Sequence, residues 1–93
     1  MEQSVVLEER AQPVTARFEL AARRIVEAWV AAGRIRVSAG DMKIAGEFLE
    51  QAGFSVEHAV GTLVKLRARN GASHELTREA AFMLALRRLA ERR

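Results

Sequence analysis

Residues 53–71 read GFSVEHAVGTLVKLRARNG. Val56, Ala59, Val60, Leu63, Val64 and Leu66 recur at spacings of three and four, which predicts a helix from Ser55 to about Asn70 with a wide apolar arc. Ser55 has the chemistry of an N-cap, and Glu57 suits the first turn. Lys65, Arg67 and Arg69 complement the negative end of the helix dipole, and Asn70-Gly71 is a stop.

The flanking segments extend this helical reading in both directions. Upstream, Phe18, Ala22, Ile25, Val26, Trp29 and Val30 predict a helix over about 14–32, with Pro13 at its start and Gly33 at its end. Ser38 followed by Asp41 opens a second helix over about 39–52, whose apolar face holds Met42, Ala45, Phe48, Leu49 and Ala52. Downstream, Leu76, Ala80, Met83, Leu86 and Ala90 form a row, with Phe82 and Leu89 beside it. They predict a last helix from Ser73 or Thr77 to about 91. The expected fold is all-α: one domain over 13–93, a compact bundle of four helices with short connections. A short N-terminal arm over 1–12 precedes it, open between a strand at Val5-Val6-Leu7 and a helical turn.

Composition agrees with helix and restricts the function. The 93 residues include seventeen Ala and thirteen Arg, a usage that suggests a bacterial source, with only five aromatic residues and no Tyr. With no Cys, thiolate metal sites and disulfide frameworks are excluded. No apolar run is long enough to span a membrane, and the acidic start MEQSVVLEER lacks the pattern of a secretory signal, so the cytoplasm is expected. Net charge is only +3, with the acidic bias in residues 1–33 and the basic bias beyond.

No catalytic pattern appears. His58 and His74 are the only His, Asp41 is the only Asp, and Gly46, Gly53 and Gly61 are too dispersed to cradle a phosphate. The expectation is a protein that is not an enzyme, without cofactor, metal or small-molecule substrate. Two binding readings remain. In the first, Phe82, Met83, Leu86 and Leu89 on the last helix exceed what one core stripe needs. They are then an interface for a protein partner or a homodimer, and the chain is an adaptor, inhibitor or assembly subunit. In the alternative, residues 44–69 form a helix-turn-helix that binds DNA. The turn Gly53-Phe54-Ser55 resembles the Gly-Val-Ser turn of bacterial repressors, and the nucleic-acid face would hold His58, Thr62, Lys65 and Arg69, with Arg34 and Arg36 nearby. Leu49 stands where such motifs hold a small residue, Gly61 would interrupt the second helix, and Glu57 would meet phosphates.

Overall fold

The structure, a computed structural model, describes residues 13–60 and 63–92, and of residues 58–60 only the backbone. The arm expected over 1–12 lies outside the described residues. The chain runs α1 (Val14–Ala32), α2 (Ala39–Gln51), β1 (Ser55–Val60), β2 (Leu63–Arg67), β3 (Ser73–Thr77) and α3 (Arg78–Glu91). Three of the expected helices are present. The fourth, over 55–70, is not: that stretch forms two strands of a three-stranded antiparallel sheet in the order β1-β2-β3. The fold is therefore α+β, and the all-α four-helix bundle is corrected.

Each helix starts or stops where its end groups are satisfied. Ser38 Oγ accepts from the Asp41 amide at 3.1 Å and caps α2, and Thr77 Oγ1 does the same for the Ala80 amide at the start of α3. Asp41 also pairs with Arg24, tying α2 to α1. Helix α1 ends at Gly33, whose amide donates to the Trp29 carbonyl at 2.8 Å in a left-handed turn. At the end of α2 the Gly53 amide donates to Glu50 and the Phe54 amide to Leu49, the paired bonds of a Schellman stop. The turn that resembled the link between two DNA-reading helices thus ends one helix, and a strand follows it.

The sheet forms because residues 63–69 carry a second periodicity. Val64 and Leu66 point inward and are buried, whereas Leu63, Lys65 and Arg67 point outward. This alternation has period two, and the β-branched Val56 and Val64 suit strands better than helices. In register, Val56 faces Leu66 and Val64 faces Leu76, so one apolar face forms across all three strands. The β1–β2 register shifts between Val56 and His58, a β-bulge that leaves Glu57 beside Arg67, whose guanidinium pairs with it at 3.0 Å. Asn70-Gly71 turns the chain from β2 into β3. Gly71 adopts φ +87°, its amide donates to the Ala68 carbonyl, and Asn70 Oδ1 accepts from the Ala72 amide at 2.9 Å.

The core lies where the sheet's apolar face meets the helices. Each helix contributes one phenylalanine. The ring of Phe18 stacks on Phe48 at 4.6 Å between centroids and meets Phe82 at 5.2 Å, tilted by 56°. Ile25, Met42, Leu49, Val64, Leu66 and Leu89 complete this cluster. Trp29 is not part of it. The stripe of α1 is buried at Phe18, Ala22 and Ile25, then runs past the body, so that Trp29 is half-buried and Val30 is 81% exposed.

Candidate functional site

The expected interface on α3 divides in two. Phe82 and Leu89 turn inward and belong to the core, so they are not available to a partner of the folded chain. The correction has a simple cause. The sheet occupies the place of a fourth helix, and α3 must supply Phe82, Ala81, Ala85 and Leu89 to cover it and α2. Leu86 is half-buried beside a shallow groove between α1 and α3, which Ala22, Val26, Leu89 and Ala90 also line. Met83 is 36% exposed and faces a different groove.

That second groove runs between β3 and the outer side of α3 and has a volume of about 660 Å³. Its floor is apolar: Leu76 from β3, Ala80, Met83 and Leu84 from α3, and Phe54 and Ala68 from the ends of the hairpin. These residues meet because Leu76 is placed on the helix-facing side of the sheet by its register with Val64, while α3 starts directly after β3. Among the described residues, the charged or titratable side chains lining the groove are His74, Arg87 and Arg88, with no carboxylate. Arg88 lies over the Phe54 ring, its guanidinium carbon 5.3 Å from the centroid, and donates to Glu91 at 3.2 Å. Arg87 is exposed and makes no ion pair among the described residues.

A more polar groove at the end of α3, lined by Gln51, Ala52, Arg88, Glu91 and Arg92, shares Arg88 with it. Arg92 there donates to Thr15 Oγ1 at 3.1 Å and stands over the Phe48 ring at 5.8 Å, so the start of α1 lies beside the last turn of α3.

The chain matches no family model, and no curated protein or solved structure shows a significant similarity to it.

The residues expected to face nucleic acid are not presented by a helix. Lys65 is exposed on the outer face of the sheet, opposite Glu75 in register. Arg69 sits at the β2–β3 turn with its side chain against Gly53, where a Cβ would come within 2.5 Å of Nε. Gly53 has φ +102°, so its left-handed backbone calls for glycine, whereas the flexible end of Arg69 could swing aside for a Cβ. Arg34 and Arg36 are exposed in the connection between α1 and α2, on a separate element. Thr62 and the side chain of His58 lie outside the described residues. A helix-turn-helix over 44–69 is thus corrected, because Ser55–Val60 is a strand and cannot enter a groove as a recognition helix. Among the described residues, no three His, Asp or Glu cluster as metal ligands, and no helix is long and apolar enough to cross a membrane.

Phe54, Ala68 and His74 are the groove residues that sequence reasoning missed. Their signal was indirect. Once Asn70-Gly71 is read as a hairpin turn, Ala68 and His74 flank it and come together beside α3.

Proposed function

We propose that the protein acts by contact with another polypeptide segment, and that the groove between β3 and α3 is the surface it uses. The observation that carries this reading is the combination of an apolar floor with the guanidinium groups of Arg87 and Arg88 and, among the described residues, no carboxylate in the lining. Such a groove favours an extended segment with aliphatic side chains and carboxylates. The floor gains from burying the former, and the Arg guanidinium groups at the rim bind the latter. Arg suits this role better than Lys because its planar fork takes a carboxylate bidentately and still stacks on an aromatic ring, as Arg88 does on Phe54. The role is that of an adaptor, inhibitor or assembly subunit in the cytoplasm.

A displayed random-peptide selection tests the reading. Peptides enriched on the folded protein are expected to combine aliphatic residues with Asp or Glu, and to lose binding on Met83→Asp and on Arg87→Glu. Enriched peptides that ignore both substitutions would overturn it.

A further inference from the structure

A groove that takes acidic, aliphatic segments, as proposed above, also suits such a segment of its own chain. Residues 1–12, MEQSVVLEERAQ, have the composition that the groove favours. Val5-Val6-Leu7 is an aliphatic run, and Glu8-Glu9 follow it directly. The segment carries three Glu against one Arg, in a protein whose remaining residues are net positive.

Position supports the match. Arg92 holds Thr15, so the segment leaves the body at Pro13 beside the last turn of α3. Moving back along α3 from that point, the helix presents Glu91, then Arg88 and Arg87, then Met83. Moving back along the segment from Pro13, the chain presents Arg10, then Glu9 and Glu8, then Leu7, Val6 and Val5. The two orders are complementary: basic against acidic, acidic against basic, apolar against apolar. The lengths also agree. Arg92 to Met83 is about 14 Å at the rise of a helix. Pro13 to Val6 reaches at most about 25 Å when extended, enough to cover that path with a bend.

We infer that the N-terminal segment of this chain is an internal occupant of the β3–α3 groove, with Glu8 and Glu9 meeting Arg87 and Arg88 and Val5-Val6-Leu7 lying on the floor. It competes with any outside partner for the same residues, so the groove is autoinhibited. Intramolecular binding has a high effective concentration, and an outside segment must outcompete it.

Methyl NMR of the full chain labelled at methionine tests this. Met83 reports on the groove and Met42, buried in the core, is the control. Val6→Asp with Leu7→Asp, and separately Glu8→Lys with Glu9→Lys, should each move the Met83 methyl signal and leave Met42 in place. Adding a free peptide of residues 1–12 to either variant should return Met83 toward its wild-type position. The inference is overturned if both variants leave Met83 unmoved. A Met83 position that changes on dilution of the wild type also overturns it, because the occupant would then come from a second copy. If the variants leave Met83 unmoved but a free acidic, aliphatic peptide shifts it in the full chain, self-docking fails and the groove reading stands. If no such peptide shifts Met83 in any of the chains, the groove reading fails as well.

Discussion

Arg88 joins two elements that are distant in sequence. Its guanidinium covers the ring of Phe54, which follows the end of α2, while it donates to Glu91 one turn further along α3. This contact closes one end of the β3–α3 groove with a cation held over an aromatic face, and it fixes where the rim charge stands. Arg88→Ala should lower stability by about 0.5–1 kcal/mol, the worth of an exposed cation–π contact. Arg88→Lys should recover only part of that loss, since an ammonium cannot stack as a planar guanidinium does. Urea denaturation of the three proteins checks both, and equal stability of all three would show the contact to be energetically idle.

Phe82 is buried in the core while its neighbour Met83 is partly exposed on another face of α3, and their substitution should separate the core from the groove. Phe82→Ala leaves a hole against Phe18 and should cost on the order of 3–5 kcal/mol. Met83→Ala should cost under about 1 kcal/mol, because the side chain is partly in solvent. Thermal melts of the two variants make the comparison.

Trp29 should contribute less than its size suggests. Half-buried and beyond the phenylalanine cluster, it should lose about 1–2 kcal/mol on change to Ala, well below the cost of a core aromatic. Chemical denaturation followed by far-ultraviolet circular dichroism measures this without relying on the removed fluorophore.

The turn from β2 to β3 distinguishes a hairpin from a helix at the point where the sequence reading failed. Gly71→Ala should cost about 1–2 kcal/mol because of its left-handed backbone. Asn70→Ala should cost about 0.5–1.5 kcal/mol through loss of the bond from the Ala72 amide. In a helix ending at residue 70, neither change would weaken the strands. Amide exchange at Lys65 and Glu75, which face each other in register, should quicken in both variants.

Helices α1, α2 and α3 were legible because their ends are written in side chains: Pro13 and Gly33, Ser38 with Asp41, and Thr77. The sheet was not, because residues 55–66 satisfy two periods at once. Val56, Ala59, Val60, Leu63 and Val64 fit a helix, while Val64 and Leu66 fit a strand, and composition rich in Ala and Arg tilted the choice. Tertiary context decided it. A strand lets Val64 and Leu66 both reach the phenylalanine cluster while Lys65 stays in solvent. The groove suffered from the same error. Met83 stands out on its helix from the sequence alone, but Phe54, Ala68 and His74 acquire meaning only once the hairpin brings them alongside α3.

The bulge at Glu57 bears on how the molecules behave at high concentration. Among the described residues the sheet has the order β1-β2-β3, so β1 and β3 are its edge strands, the positions at which another chain can add to a sheet. On β1 the irregular register breaks the spacing that such an addition requires, and on β3 the strand is only five residues long and places Glu75 at its centre. Two copies meeting antiparallel along β3 would set those carboxylates against each other. Both edges thus disfavour edge-to-edge growth into fibres, and one of them does so with the same short strand that walls the groove.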